Sequence, residues 1–460
     1  MLYKKMKWYT LAGALLFCCK TMAQSPVDTL LQLKGAIQLA EQHYHLLQAR
    51  KYEAAASDKN VDVAKYSRMP TIDATYQVGM ATANNLIGVF YPNGILPMTG
   101  PPSSGNNYSP ATGSAAGLLL NWQATTFGQR EAQINVSRAQ ANAQQSAYQQ
   151  ELFRHTINVI SAYLDVLLTN DLLSIHRQNI ERVQANLKQS RVLANSGIKP
   201  GVDTALFLSE LSKAKIDWLQ AQKQLEVQQW QLAQLIVVDA LPVPADTGFL
   251  KTLPQPVAIN DTSFSGHPLV RYAQSQFQLS QSRELLLKKT YLPKLTVWGI
   301  AFARGSGFQP NGTIKTWDGV GLSRYNYGAG VQLAFPIMKY GEVKRELQQQ
   351  TFLSKSAAEK LMEEKAKLTT QQRIANATFQ SSVTVAAETQ QQLRSARYAF
   401  SAIQTRYNTG LVNFADLIQA QYNLLKSELD VKQAYWDAWK ALLLQAAVKG
   451  DMNVFLNEMK

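Results

Sequence analysis

Two aspartates in equivalent positions are the residues of this sequence best placed for ionic chemistry. Asp203 follows a turn at Gly197, and Asp416 follows a turn at Gly410; the offset between the aspartates and between the glycines is 213 residues. Each carboxylate falls at the expected start of a helix, where it can accept hydrogen bonds from free backbone N–H groups and suits the helix dipole. We therefore predict that both aspartates cap helices, Asp203 above all.

No group of side chains has the spacing of a catalytic or metal-binding site. His43 and His45 stand two apart on a predicted helix, so their rings leave on different faces. His155, His176 and His267 are isolated in the sequence. A phosphate-binding loop and a nucleophile motif are both missing from the sequence. We therefore expect that the protein is not an enzyme and that it has no catalytic residues, no bound metal and no cofactor.

The two aspartates follow two long runs that contain neither glycine nor proline. Residues 129–196 and 342–409 are each 68 residues long, and Gly197 and Gly410 end them. Both runs are rich in helix-forming residues, and one helix of that length spans ~100 Å. Their apolar residues recur at alternating steps of three and four, which is a coiled-coil rhythm. We predict two long helices that reverse direction at Gly197 and Gly410.

Four shorter stretches alternate apolar and polar residues with a period of two. They cover residues 71–80, 115–124, 295–304 and 325–335, and long loops at 84–113 and 305–324 join them in pairs. Such alternation is typical of a transmembrane barrel strand with an apolar outer face, although a strand of a soluble sandwich would look alike. In the barrel interpretation, the membrane face carries Trp122, Trp298, Tyr325, Tyr327 and Val331, with the aromatic rings at the lipid interface; the alternative is ordinary strand packing.

Four strands are too few to close a barrel with an open lumen. An open sheet edge inside lipid would leave backbone groups without hydrogen bonds, so a membrane sheet of this size needs further copies of the chain. Oligomerisation is therefore implied, and three copies would supply twelve strands.

The first 23 residues are typical of a secretory signal peptide. Three lysines precede an apolar run too short to span a bilayer comfortably, and Thr21-Met22-Ala23 offers small residues for cleavage before Gln24. A lipoprotein signal is the alternative, because Cys18 and Cys19 end the apolar run.

The duplication divides the chain into two halves. We predict a signal peptide at 1–23, a first repeat at 24–238, an irregular linker at 239–266, a second repeat at 267–450 and a tail at 451–460. Both cysteines lie before residue 20, so the mature chain forms no disulfide. The formal net charge is +14, but the basic residues are spread along the helices, so nucleic-acid binding is not expected.

Several of these features together resemble the TolC-like outer membrane efflux protein family. The similarity covers nearly the whole mature chain and includes the duplicated helix–strand–loop–strand–long helix order. Its sequence segments are RMPTIDATY at 68–76, YLPKLTVWG at 291–299 and RYNTGLVNFADL at 406–417. The resemblance implies a mainly α-helical fold with a β-barrel part: a helical tunnel in the periplasm, and a trimeric twelve-stranded barrel in the outer membrane. It also implies a periplasmic adaptor and an inner-membrane transporter as partners, in the export of drugs or proteins.

The same resemblance implies a constriction at the periplasmic end of the tunnel. Family members narrow this end with acidic and tyrosine residues, and the matching positions here are Asp416, Tyr407 and Asp203. Val412 stands where a basic residue is usual, and Gln419 replaces a second acidic residue, which weakens the expectation of strong cation selectivity. Tyr407 also fits the apolar seam of its helix as an ordinary packing residue.

Two functions of another class remain possible at this stage. A secreted coiled-coil scaffold would explain the helices but not the four alternating strands. A periplasmic adaptor also has a helical hairpin, but it usually has one hairpin with compact β-domains, without a 213-residue duplication.

Overall fold

The computed structural model describes residues 30–82, 84, 103–246, 248–255, 264–309 and 311–458. The predicted signal peptide at 1–23, most of the loop at 84–113 and part of the linker at 239–266 lie outside the described residues. The helices are α1 (Leu33–His43), α2 (His45–Tyr66), α3 (Gln129–Asn195), α4 (Val202–Ile236), α5 (Pro268–Thr290), α6 (Lys339–Asn408), α7 (Phe414–Lys449) and α8 (Asn453–Leu456). The strands are β1 (Leu30–Leu31), β2 (Thr71–Ala81), β3 (Ala111–Thr125), β4 (Val243–Pro244), β5 (Lys294–Ser306) and β6 (Arg324–Ala334).

Two long helices run the length of the molecule. Helix α3 has 67 residues and α6 has 70, close to the lengths expected from the absence of glycine and proline. In the first half, α2, α1 and α4 pack along α3; in the second half, α5 and α7 pack along α6. Helix α3 also contacts α5 and α7, and these contacts join the two halves.

The helical segment that precedes β2 is interrupted at Tyr44. Tyr44 has ψ 114°, outside the helical range, and separates α1 from α2. Its ring stacks on His155 of α3, with centroids 3.8 Å apart. Leu30 and Leu31 form β1, which pairs in parallel with β4 of the linker segment. A tertiary contact and a short strand pair thus replace the continuous helix that local propensity favoured.

The four longer strands form one antiparallel sheet in the order β2-β3-β5-β6. The middle pair, β3 and β5, joins the strands of the first half to those of the second. Among the described residues, strands β2 and β6 each have a partner on one side only. The sheet therefore has two open edges.

The strand register collects the apolar positions on one face. Tyr76, Ala116, Ala303 and Tyr325 lie in one row across the sheet, and every second residue from them shares their face. Tyr327 is 93% exposed and Val331 66% exposed, so the described residues leave both side chains largely uncovered. The larger side chains of this face, called the apolar face below, are Ile72, Tyr76, Val78, Met80, Leu118, Leu120, Trp122, Leu295, Val297, Tyr325, Tyr327, Val331 and Leu333.

The prediction that Trp298 shares the membrane face is wrong. Trp298 pairs with Asn121 on β3 and with Gly330 on β6, and both of these positions alternate with the apolar face. Trp298 therefore lies on the opposite face, which is called the polar face below. This face also carries Thr71, Asp73, Thr75, Gln77, Gln123, Lys294, Thr296, Arg304, Arg324, Asn326 and Gln332. An aromatic side chain in a period-two stretch does not by itself identify its face, whereas the register with β3 and β6 does.

A core near the middle of the helical part holds the linker and the tail. Phe249 of the linker and Phe455 of α8 are buried against Trp439 of α7, with ring centroids 4.7 and 5.8 Å from the indole. Asp246 accepts hydrogen bonds at Oδ2 from the Leu33 amide and the Tyr163 hydroxyl, both at 2.8 Å. The segment predicted as irregular is thus anchored to both halves.

Among the described residues, no helix combines the length and the hydropathy needed to cross a membrane.

Candidate functional site

The two helix reversals lie side by side at one end of the molecule. Gly197 and Gly410 have φ angles of 70° and 82°, in the left-handed region that glycine adopts without a side-chain penalty. The Ile198 side chain lies within 3.7 Å of the position that a Cβ on Gly410 would occupy. Lys199 donates a hydrogen bond of 2.6 Å from Nζ to the Val412 carbonyl oxygen, which ties the first turn to the second.

Tyr407 and Asp203 form the central contact behind these turns. The Tyr407 hydroxyl donates to Asp203 Oδ2 at 2.9 Å, and the side chains are 1% and 7% exposed. The bond joins the last turn of α6 to the first turn of α4, so it links the second half to the first. The positive end of the α4 dipole further favours a carboxylate at this position. We call this pair the tip latch.

The predicted capping role of Asp203 is wrong. Helix α4 begins at Val202, Gly201 holds the N-cap position, and no side chain caps the helix. The amides of Asp203 and Thr204 instead donate to the carbonyl oxygens of Pro200 and Gly201, at 3.2 Å each. The backbone turn satisfies these groups, and the carboxylate is free to accept the Tyr407 hydroxyl.

The surroundings of Tyr407 keep its hydroxyl protonated. Burial, followed by the hydrogen bond to Asp203, raises the pKa of Tyr407 to about 12. The Phe207 ring meets the Tyr407 ring edge-on with centroids 6.0 Å apart, and Lys199 Nζ lies 5.0 Å from the Tyr407 centroid. Tyr407 therefore acts both as a packing residue and as a hydrogen-bond donor at neutral pH.

Asp416 occupies a different environment although it stands at the equivalent sequence position. It is exposed at the third position of α7, and Asn413 is the N-cap. The Asp416 amide donates to Asn413 Oδ1 at 2.9 Å, and the Asn413 amide donates to Asp416 Oδ2 at 3.3 Å. This is a capping box, so Asp416 supports the helix start from three residues inside it. It borders an open groove between α6 and α7 that Arg406, Gln419 and Lys426 also line.

The sequence did not predict a buried row of amides that lies between α3, α6 and α7. Asn186 of α3 accepts at Oδ1 from Gln404 of α6 at 3.0 Å and donates through Nδ2 to Gln421 of α7 at 2.9 Å. Gln421 donates in turn to Asn179 Oδ1 at 3.3 Å. The signal in the sequence was the seven-residue spacing of Asn179 and Asn186, which places amides on an otherwise apolar helical seam.

One ion pair extends this row away from the turns. Arg182 of α3 donates to both carboxylate oxygens of Glu428 on α7, at 3.0 and 2.7 Å. The Glu428 side chain is 9% exposed, and Arg182 Nε has no hydrogen-bond partner among the described residues. A buried pair of this kind costs desolvation and is strongly destabilising when one partner is removed. It fixes the register of α7 against α3.

Within the described residues, no cluster of three or more His, Cys, Asp or Glu side chains could hold a metal ion.

The chain matches the family model described as outer membrane efflux protein over residues 36–236 and 311–444. A comparison with curated proteins found no significant match. The matched residues include the long helices, the tip latch and the sheet strands β2, β3 and β6.

Three solved outer-membrane channels show the same fold. The Campylobacter jejuni CmeC channel matches with a TM-score of 0.74 and 14% identity, over 91% of this chain and 85% of that chain. The open state of the Neisseria gonorrhoeae MtrE channel matches with a TM-score of 0.71 and 15% identity, over 91% and 89%. The outer membrane protein VceC from Vibrio cholerae matches with a TM-score of 0.71 and 12% identity, over 91% and 96%.

These findings confirm the resemblance and the fold class that the sequence predicted. They place the chain among outer membrane efflux proteins, a family of channels and not of enzymes. The chain belongs to the outer membrane efflux protein family.

Proposed function

We propose that three copies of this chain assemble into an exit duct through the outer membrane. The carrying observation is a four-stranded sheet with one apolar face and two open edges. Lipid offers no hydrogen bonds to an open edge, so β6 of one copy pairs with β2 of the next until the sheet closes. Three copies close it with twelve strands, and the apolar face turns toward lipid.

The polar face of the sheet then lines the lumen, and the helices continue the duct into the periplasm. Helix α3 with its partners and α6 with its partners form the tunnel wall around the same axis. An inner-membrane transporter delivers the cargo, and a periplasmic adaptor joins the transporter to the duct. A coiled-coil scaffold without a channel would leave the apolar face of the sheet without a role.

The tip latch holds the periplasmic end of the duct closed. Opening requires α6 and α7 to move away from α3 and α4 at the turns, and that motion breaks the hydrogen bond from Tyr407 to Asp203. An adaptor that binds the open arrangement more tightly than the closed one shifts the equilibrium toward opening. Three copies of Asp416, exposed near the same end, raise the local concentration of cations.

Two substitutions on adjacent residues of β6 test this proposal. Val331→Arg puts a charge on the apolar face and should cost ~2–4 kcal/mol near the bilayer midplane, so that fewer trimers form. Gln332→Arg, on the polar face, is the matched control and should assemble normally. The measurement is the heat-modifiable migration of outer-membrane fractions, in which the trimer separates from the monomer.

Equal assembly of the two variants would contradict the proposed orientation of the sheet. Ion conduction by a monomer in planar bilayers would contradict the trimeric channel.

A further inference from the structure

The polar face of the sheet carries an apolar stripe that barrel formation does not need. Trp298, Ile300 and Phe302 follow one another on this face of β5, and Leu119 of β3 stands opposite Ile300. Leu119 is 40% exposed and Trp298 36% exposed, so the stripe is accessible. All other large side chains of this face in the four strands are polar or charged. A water-filled lumen gives no reason to expose such residues unless they meet an apolar solute.

The indole of Trp298 lies flat over two glycines. A Cβ on Gly330 would come within 2.7 Å of the Trp298 ring, and a Cβ on Gly328 within 3.7 Å of it. Only glycine at position 330 leaves room for this arrangement. The indole therefore packs against β6, and Trp298 stays exposed enough for a solute to contact part of its ring.

Two arginines stand beyond the upper end of the stripe. Arg304 of β5 and Arg324 of β6 are directly opposite each other on the same face. Like charges in directly opposite positions destabilise a sheet. Arg304 and Arg324 pair with each other across β5 and β6, and neither guanidinium forms an ion pair with a described residue. Two unneutralised guanidinium groups at one level favour an anion, since each can bind a carboxylate or sulfonate with two hydrogen bonds.

We propose that this face binds amphipathic organic anions in transit, with an aromatic or apolar body on the stripe and the acidic group between Arg304 and Arg324. The proposal rests on the proposed trimeric channel, in which this face lines the lumen. At ~3.3 Å per residue, Ile300 lies ~13 Å and Trp298 ~20 Å from Arg304 along β5. Fused aromatic rings joined to an acid by a short aliphatic arm match this length, because the arginine side chains themselves are long.

The orientation of the face is tested first and separately. The only cysteines of the sequence, Cys18 and Cys19, lie in the predicted signal peptide, so single cysteines can be placed in a mature chain without others. A charged, membrane-impermeant maleimide should label Ile300→Cys in reconstituted trimers and leave Val331→Cys unlabelled. The reverse pattern would overturn the orientation of the sheet, and with it both the proposed channel and the anion site.

The anion site is tested by current block in planar bilayers with 1-pyrenebutyrate added on the barrel side. Wild-type channels should show resolved blocks. Trp298→Ala, and Arg304→Gln combined with Arg324→Gln, should each shorten the mean block about fivefold or more, the factor that corresponds to 1 kcal/mol. Gly330→Ala should act in the same direction because it displaces the indole. Tyr327→Ala, which removes a ring from the apolar face, is the matched control and should leave the blocks unchanged.

Two further probes separate the apolar body from the charge. Butyrate has the charge without the rings, and 1-pyrenemethylammonium has the rings with the opposite charge; neither should produce long blocks. One outcome is that labelling with the impermeant maleimide places Ile300 in the lumen while 1-pyrenebutyrate blocks Trp298→Ala channels for as long as wild-type channels. In that case the proposed anion site is wrong and the proposed channel stands. Equal block by the cationic and the anionic pyrene would also overturn the site.

Discussion

The two helix reversals share a glycine turn of the same kind but hold their aspartates in opposite environments. Both turns end a long helix at a glycine with positive φ, and both lead into a returning helix. Asp203 is 7% exposed and accepts the Tyr407 hydroxyl, whereas Asp416 is exposed and serves a capping box. The duplication preserved the turn geometry while the side-chain roles diverged.

A local difference explains this divergence. The first turn contains Pro200 and Gly201, whose carbonyl oxygens bind the first free amides of α4 and make a capping side chain unnecessary. The second turn has Asn413 as N-cap, and its capping box requires Asp416. The Asp203 carboxylate is not needed as a cap and can therefore form a contact between the halves. The Asp416 carboxylate belongs to the capping box and remains at the surface. We expect Asp203 to control closure and Asp416 to control ion preference.

Tyr407→Ala should have the largest effect. It removes a buried ring and leaves the Asp203 carboxylate without its donor, at a cost of about 3–5 kcal/mol. Single-channel conductance should rise, because the latch between α6 and α4 is lost. Phe400→Ala is the matched control, since Phe400 is a buried ring on the same helical seam. It should lower thermal stability without raising conductance; a rise in both variants would show that loose packing alone opens the channel.

Asp203→Ala should come next. It removes the acceptor of the latch and should raise conductance, with a stability loss of about 1–3 kcal/mol from the unpaired Tyr407 hydroxyl. The expected rise in conductance is larger than the one that a helix-capping role of Asp203 would give. Asp203→Asn keeps an acceptor oxygen for Tyr407 and should conduct like wild type. Unchanged conductance in Asp203→Ala would show that the hydrogen bond between Tyr407 and Asp203 does not keep the channel closed.

The sequence predicted the architecture well because the signals for it are long and local. The runs without glycine or proline gave α3 and α6, and period-two alternation gave the four strands. The roles of Asp203 and Trp298 could not be predicted in the same way. The first depends on a hydrogen bond between residues 204 positions apart, and the second on the register between β5 and its neighbours.

The buried amide row lies between these two cases. Asn179, Asn186 and Gln421 all sit on helical seams, and the spacing of the two asparagines is visible in the sequence. Which amides meet across helices depends on how α7 is placed against α3, and a helical period carries no information on that. Local patterns therefore identify elements, while partners between elements require the fold.

Asp416→Ala should have a smaller and different effect. It should lower the preference for cations, measured as a reversal potential in a salt gradient, and leave conductance close to wild type. Loss of the capping box should cost about 1 kcal/mol. Asn413→Ala removes the same box but keeps the carboxylate, so it should lose stability without losing cation preference. If both variants lose only stability, Asp416 is a cap and no more.

The smallest expected effect on conductance in the ordinary pH range is that of titrating the Tyr407 hydroxyl. The pKa of its hydroxyl is about 12 in the folded protein, against 10.0 for an ordinary tyrosine. The unfolded chain therefore loses this proton first, and the stability that the protonated hydroxyl provides is complete below pH 10. That stability is lost as pH rises from 10 through 12, where a tyrosinate beside the Asp203 carboxylate would repel it.

Wild-type conductance should stay constant from pH 8 to pH 10 and rise only as pH approaches 12. Tyr407→Phe has no proton to lose, so it should show raised conductance already at pH 8 and no step above pH 10. A step of equal size in both channels would assign the pH dependence to groups other than Tyr407.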